Sequence, residues 1–329
     1  MREPRAASAR MVPLDHLAVI EANGADAVDF LQGQLTQDVK KLGDADARLA
    51  GYCTAKGRML ASAVIWRPRV ADGEVPRVLA MVDASLAESL RKRLSMYVLR
   101  AKVTLSVAPL RVAGVWGGGD ASALHAVEGT PSAEAWSRTE LPNGTWIAAP
   151  SAQGGPRWWW IGSAEQMQQL GEVLPSSADV DLIHAWRAAD IVEGLPWIVS
   201  ATQDLFVPQM INFELVGGVS FTKGCYPGQE VVARSHYLGK LKRRMFAGRL
   251  AQAADADALV GADIFQEGEE QPCGRIVNAA RDGGGLAVLY ECSLGAAGGP
   301  APLHAGSPTG PAIVAVPLPY ALPESTSPA

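Results

Sequence analysis

Residues 221–234 read Phe221-Thr222-Lys223-Gly224-Cys225-Tyr226-Pro227-Gly228-Gln229-Glu230-Val231-Val232-Ala233-Arg234, the densest polar stretch of the 329-residue chain. Gly224, Pro227 and Gly228 punctuate a turn, and a helix is predicted to start near Pro227. Its first-turn N–H groups would be open to an anion. Lys223 adds a positive charge just outside, and Cys225 lies in that electropositive setting, where a thiol becomes more reactive. Spacing alone fits equally well a tight turn with a solvated lysine and a packed cysteine.

Downstream of this turn the texture is β. Met245–Leu250 reads as a strand, and Gly274–Ala280 and Leu286–Glu291 flank the hairpin signal Asp282-Gly283-Gly284-Gly285. Val314–Val316 closes the set. Residues 295–311, rich in Gly, Pro and Ala, are expected to form a surface loop, and the tail from Pro323 to be disordered.

Upstream the pattern alternates. Leu17–Glu21 is a short apolar run. Val28, Leu31, Leu35 and Val39 recur at helical spacing, interrupted by Gly33 at a cost of ~1 kcal/mol relative to Ala. On that helix Gln34 and Asp38 share a face at i, i+4, where they would either meet solvent or read a heteroaromatic ring. Met59–Trp66 and Val78–Val82 read as strands. Asp83 is the expected N-cap of a helix carrying Leu86, Leu90 and Leu94, and Val103–Val107 returns as a strand. After Pro109 the rhythm restarts, with strands at Arg111–Trp116, Thr145–Ala149 and Trp158–Gly162, a turn at Gly117–Gly119 followed by a short helix, and helices at Gln166–Val173 and Leu182–Val192. Alternation of this kind argues for helices layered on sheets. In the run Trp158-Trp159-Trp160 the middle ring faces opposite to its neighbours, which favours packing over ligand stacking. The basic turn Tyr52-Cys53-Thr54-Ala55-Lys56-Gly57-Arg58 reads by itself as solvated.

Composition narrows the classes. Apolar residues are 48%, charged residues 19% and the net charge is −5, so most of the chain is globular and the balance disfavours direct nucleic-acid binding. A local basic face such as Arg91–Arg93 is the exception. No window reaches the roughly 18 apolar residues of a membrane span, so no membrane association is expected. The first ten residues lack an apolar core and read as a loose tail rather than a secretory signal. Cys53, Cys225, Cys273 and Cys292 form no C-x-x-C pair, so a reduced, intracellular protein without a metal site is expected. None of the five histidines has metal-type spacing to another, and nucleophile-elbow, P-loop and zinc-protease motifs are absent.

The run Lys223-Gly224-Cys225-Tyr226-Pro227-Gly228-Gln229-Glu230, with Val231-Val232-Ala233-Arg234 after it, closely resembles the K-G-C-[FY]-x-G-Q-E signature of the YgfZ family. These are folate-binding proteins related to the aminomethyltransferase of the glycine cleavage system. Phe30–Val39 is similar to the family's N-terminal helix, Ala55-Lys56-Gly57-Arg58 to its A-K-G-[KR] turn, and Phe206–Asn212 with Gly217–Phe221 to the lead into the signature. The resemblance implies an α+β chain: two ferredoxin-like or aminomethyltransferase-like α+β domains plus a C-terminal β-barrel around a central folate cavity. The expected boundaries are a flexible tail 1–12, an N-terminal α+β domain 13–108, a second α+β domain 109–240 carrying the signature, a barrel 241–322 and a tail 323–329.

The resemblance further implies a cytoplasmic, non-catalytic accessory factor that binds tetrahydrofolate or a one-carbon derivative. Its role would be assembly or repair of iron–sulfur clusters in client enzymes, including those that thiolate tRNA. The expected partners are those clients or the assembly machinery. For the folate, Lys223 and Arg234 are candidates for the glutamate tail. Gln34, Asp38, Gln209, Asn212 and Glu230 are candidates for the pterin edge, and Gln229 belongs to the signature. Cys225 is the candidate redox or shared-ligand thiol. The transferase relatives carry an acidic pair on the strand after the A-x-G turn, whereas residues 57–64 here hold no carboxylate. A general acid/base is missing there. A folate-dependent one-carbon transferase therefore stands as the alternative, and a factor acting directly on tRNA as the second.

Overall fold

The computed structural model describes residues 9–71, 73–117, 124, 129–151, 155–177, 179–237, 241–251 and 255–323, and in it the chain divides into two compact units. Residues up to Leu31, Val39–Arg48 and Ala63–Ile183 form the first; Gln32–Asp38, Leu49–Ser62 and the chain from His184 onward form the second. Gly118 and Gly119 of the expected turn, the helix after it and the tail beyond Pro323 lie outside the described residues.

Among the described residues the N-terminal half supplies ten strands: β1 (Arg10–Pro13), β2 (Leu17–Asn23), β3 (Ala47–Cys53), β4 (Met59–Trp66), β5 (Arg77–Asp83), β6 (Thr104–Val107), β7 (Arg111–Trp116), β8 (Arg138–Leu141), β9 (Gly144–Ala149) and β10 (Arg157–Gly162). They make two five-stranded sheets, ordered β1-β7-β10-β9-β8 and β3-β4-β5-β2-β6. The helices are α1 (Ala27–Gln32), α2 (Ala84–Ser95), α3 (Ala164–Val173) and α4 (Val180–Val192). Asp83 caps α2, its carboxylate accepting from the Ser85 N–H at 3.0 Å, and Leu86, Leu90 and Leu94 are buried. Strand β1 begins at Arg10 and pairs antiparallel with β7, so structure reaches into the stretch read as tail.

Strand β10 is central in its sheet, between β7 and β9. This is why all three consecutive tryptophans are fully buried. Trp158 packs edge-on against Trp146 at 6.4 Å, in a cluster that also holds Trp160, Met11 and Leu170. Trp159, on the other face, meets Trp136 at 5.9 Å. Trp158 and Trp160 donate their indole N–H groups to the carbonyls of Ser132 and Asn143, so burying these rings leaves both donors satisfied.

The helix read through Gly33 to Val39 is six residues long and stops at Gln32. Gly33 lies just past its end, and residues 34–38 run on without helical structure. The i, i+4 face of Gln34 and Asp38 therefore does not exist.

The second unit holds α5 (Gln229–Tyr237), β11 (Arg243–Leu250), α6 (Ala256–Leu259), β12 (Asp263–Gln266), β13 (Pro272–Asp282), β14 (Gly285–Ser293), α7 (Leu294–Ala297), β15 (Leu303–Ala305) and β16 (Ala312–Val316). Its six strands close a barrel in the order β11-β14-β13-β12-β15-β16. Ile264, Ile276, Leu286, Val288, Tyr290, Leu303 and Ile313 belong to its core. The β13–β14 hairpin pairs Asp282 with Gly285 across Gly283 and Gly284, both at positive φ (58° and 91°), as a type I′ turn requires. The expected loop 295–311 is corrected: it contains the end of α7 and all of β15, which pairs with β12 and β16. A three-residue strand among Gly and Pro carries too few alternations to read from sequence.

Candidate functional site

The site is built in the second unit from three segments. The first, residues 32–38, leaves the end of α1 through a turn and is laced to its neighbours by side chains. The Thr36 hydroxyl donates to the Gly218 carbonyl at 2.6 Å and accepts from the Gly51 N–H at 2.7 Å. The Gln37 amide donates to the carbonyls of Gly217 (2.6 Å) and Leu49 (3.1 Å). Ser220 N–H donates to the Thr36 carbonyl at 2.9 Å.

The second segment is the signature turn. Lys223 is buried, and its ammonium donates to the backbone carbonyls of Gln32 and Leu35. It lies 5.0 Å from the centre of the Tyr226 ring, a cation–π distance. Burial pulls the Lys223 amine down to about 8, partly countered by the carboxylate of Asp38 and by Cys225. Asp38 is itself buried and accepts from the Gln32 amide at 3.1 Å. Two residues past Lys223, Cys225 is exposed, while burial raises the Tyr226 hydroxyl above its ordinary value. The helix α5 begins at Gln229, later than Pro227. Its Gln229 and Val232 N–H groups already donate to the Tyr226 and Gly228 carbonyls. Glu230 and Arg234 lie on its outer face as an exposed i, i+4 pair at 2.7 Å, which contributes at most about 0.5 kcal/mol.

The A-K-G-R turn docks on this one. Gly57 and Gly228 have φ of +74° and +82°. A methyl on Gly228 would sit 2.4 Å from the Thr54 carbonyl oxygen and 2.6 Å from Gly57 Cα. Those neighbours are backbone and cannot move aside. Gly228→Ala is expected to cost at least about 2 kcal/mol through clash and left-handed backbone together, measured as a lower urea midpoint. An unchanged midpoint would contradict the glycine-on-glycine contact.

The third segment, residues 206–214, turns through a 3-10 helix at Pro208–Ile211 into Asn212, whose φ is 54°. Phe206 and Phe213 anchor it in the interior. The Gln209 amide donates to the Val232 carbonyl of α5 at 2.7 Å, and the Asn212 amide to the Met245 carbonyl of β11 at 2.8 Å. Arg244 organises the turn: one guanidinium nitrogen donates to the Gln209 carbonyl (2.9 Å), to Asn212 Oδ1 (3.4 Å) and to Glu214 Oε1 (2.5 Å). Both charged side chains are almost fully buried, 7% and 5% exposed.

The expected residues thus separate by role. Lys223, Gln209 and Asn212 are built into the backbone scaffold, Asp38 lies beside Lys223, and Glu230, Arg234 and Cys225 face outward. Gln34 and Gln229 are half-buried. Arg244, Glu214, Thr36 and Gln37 went unread. A carboxylate inside the apolar run Asn212-Phe213-Glu214-Leu215-Val216 was the available signal for Glu214. Arg244 is hidden in the basic run Lys242-Arg243-Arg244.

Buried acceptors remain open in this site. Gln209 Oε1, Glu214 Oε2 and Gln34 Oε1 take no hydrogen bond among the described residues. An unpaired buried acceptor costs about 1–3 kcal/mol, and these three atoms are enclosed rather than presented to solvent. Among the described residues no group of three or more His, Cys, Asp or Glu side chains could hold a metal ion, and no helix is long and apolar enough to cross a membrane.

No family model matches the chain. It is 35% identical over 265 residues to the tRNA-modifying protein YgfZ of Yersinia pseudotuberculosis, covering 79% of this chain and 76% of the relative. To the tRNA-modifying protein YgfZ of Serratia proteamaculans it is 31% identical over 291 residues, 85% of this chain and 84% of the relative. Among solved structures, the glycine cleavage system aminomethyltransferase T of Bartonella henselae superposes with a TM-score of 0.68 at 14% identity, over 94% of this chain and 85% of that one. The chain therefore has the aminomethyltransferase-like fold.

Proposed function

Since this chain belongs to the YgfZ family, we propose that it is a tetrahydrofolate-binding accessory protein for tRNA modification, acting by assembly or repair of iron–sulfur clusters in client enzymes such as those that thiolate tRNA. The observation that carries the reading is the 35% identity to a relative named as tRNA-modifying. We place the protein in the cytoplasm. In chain order, residues 13–108 and 109–240 are its α+β domains and 241–322 its barrel domain.

Folate binding is supported by the aminomethyltransferase-like fold; to the donors of a pterin edge we assign Gln209 Oε1 and Glu214 Oε2, enclosed acceptors without a partner among the described residues, which the ligand would reach by displacing the side chains that cover them. A bound reduced folate would supply a carrier for one-carbon units. The residues of the chain would orient it: Glu214, held by Arg244, and Gln209, held by Val232, supply acceptors, and the exposed Arg234 guanidinium would exchange its surface partner Glu230 for the anionic tail. A transferase reaction is disfavoured by β4, which is buried along its whole length and carries no carboxylate. Direct action on tRNA gains little from Arg91 and Lys92, which pair with Glu88 on α2.

The role in cluster assembly rests on Cys225, an exposed thiol on the signature turn. The test is a bacterial strain deleted for its own YgfZ, complemented with this chain, with thiolated tRNA nucleosides measured by mass spectrometry under oxidative stress. The wild-type chain is expected to restore them and Cys225→Ser to leave them reduced severalfold. Full restoration by Cys225→Ser would remove the thiol from the mechanism, and no restoration by the wild type would remove the function.

A further inference from the structure

Two thiols meet in the barrel, away from the signature turn in sequence. Cys273 on β13 and Cys292 on β14 are both free, with sulfurs 3.8 Å apart. Cys292 is fully buried and Cys273 partly so. Register alone would separate them. Gly274 pairs with Cys292, so the preceding residue, Cys273, should point to the opposite face. The pairing of β12 with β13 explains the encounter: Ile264 faces Gly274 and Phe265 faces Pro272, so Cys273 is skipped as the extra residue of a bulge. A bulge re-aims the side chain it carries. Gly274 completes the geometry, because a Cβ there would lie 2.3 Å from the Glu291 carbonyl oxygen and 3.1 Å from Cys292 Cα. The strands approach where a side chain is absent. Arg243 holds the place, donating to the Cys273 carbonyl at 2.9 Å and pairing with the buried Glu291.

We propose that Cys273 and Cys292 form an oxidisable dithiol site, closed to a disulfide by hydroperoxides and reopened by low-molecular-mass thiols. Bonding needs the sulfurs to close from 3.8 Å to about 2.05 Å. The more accessible Cys273 is attacked first: its thiol and the hydroperoxide give a sulfenic acid and an alcohol, or water from hydrogen peroxide. The Cys292 thiol then displaces the hydroxyl, forming the S–S bond and releasing water. Two thiols lose two electrons and two protons in all, and the peroxide O–O bond takes them up. Two molecules of a small thiol reverse the change, leaving as their disulfide. Burial and the neighbouring Cys273 push the Cys292 thiol up to about 12, which leaves the first attack to Cys273 and makes resolution the slower step. The closed bond would fasten the ends of β13 and β14 beside β11, the strand that carries Arg244.

The test uses the full chain with Cys225→Ser, which removes the exposed competing thiol. It is treated with hydrogen peroxide, alkylated under denaturing conditions, digested and read by mass spectrometry. The expected result is a cross-linked peptide pair containing Cys273 and Cys292, lighter by two hydrogens than the sum of the reduced peptides, abolished by dithiothreitol and absent after Cys273→Ser. Complete alkylation of both cysteines after peroxide, or oxidation of Cys273 to the sulfinic acid without a cross-link, would overturn the proposal.

Discussion

Arg244→Met is expected to destabilise the protein by about 3–5 kcal/mol, because it strands the buried Glu214 carboxylate without its counter-ion. The same substitution removes the donor to the Gln209 carbonyl and to Asn212 Oδ1, so the 206–214 turn is left tied to β11 through Asn212 and Met245. The double variant Arg244→Met/Glu214→Leu separates the two effects. Replacing both partners of a buried pair by apolar groups is often near neutral, so the double variant should recover most of the loss. Urea unfolding followed by tryptophan fluorescence measures both. A single-variant loss below about 1 kcal/mol, the range of an exposed pair, would contradict the buried geometry.

Lys223→Met carries the next largest effect. Two buried backbone carbonyls, of Gln32 and Leu35, lose their shared donor, and at about 1–3 kcal/mol for each unsatisfied group the expected cost is about 3 kcal/mol at pH 7. The pH dependence gives a signature that a packing defect would not. The folded-state value of Lys223 is held down to about 8, below the ordinary lysine value of about 10.4. Between these two values the unfolded chain binds a proton that the folded chain has released, so stability rises with pH through that window. Below pH 8 both states are protonated and the contribution is flat. A neutral amine keeps two hydrogens, enough for both carbonyls. The stability difference between wild type and Lys223→Met should therefore widen from pH 8 to pH 10. A flat difference would show an exposed amine with its ordinary value, and one that narrows an amine held charged by the fold; either would contradict the burial.

How much of this was legible in the sequence depends on the length over which each signal repeats. Met59–Trp66, Arg111–Trp116 and the α2 cap at Asp83 stand where their apolar runs and cap chemistry placed them, because each is decided by residues within a few positions. The tryptophan run was legible for the same reason: alternation alone puts Trp158 and Trp160 together. The helix through Gly33 failed because apolar spacing continues past Gln32, where the helix ends. Leu35 and Val39 are buried in a segment held by tertiary bonds to residues 49–51 and 217–223, far away in the chain. The glycine-on-glycine docking of residues 57 and 228 and the Arg244–Glu214 pair were invisible for the same cause, since each joins residues between 30 and 171 positions apart. The signature turn was found as a motif. Its physical content, a lysine turned inward to staple two carbonyls and a cysteine turned outward, is visible only in the fold.

Titration of the wild-type chain and of Glu214→Gln with tetrahydrofolate under anaerobic conditions, followed by tryptophan fluorescence, tests the folate reading most directly. The wild type should show a saturable change. Glu214→Gln still accepts from Arg244 but puts an amide in place of the unpaired acceptor, and should bind about tenfold or more weakly, the equivalent of one buried hydrogen bond to a charged group. No saturable change in the wild type, or equal affinity in the two proteins, would contradict the account.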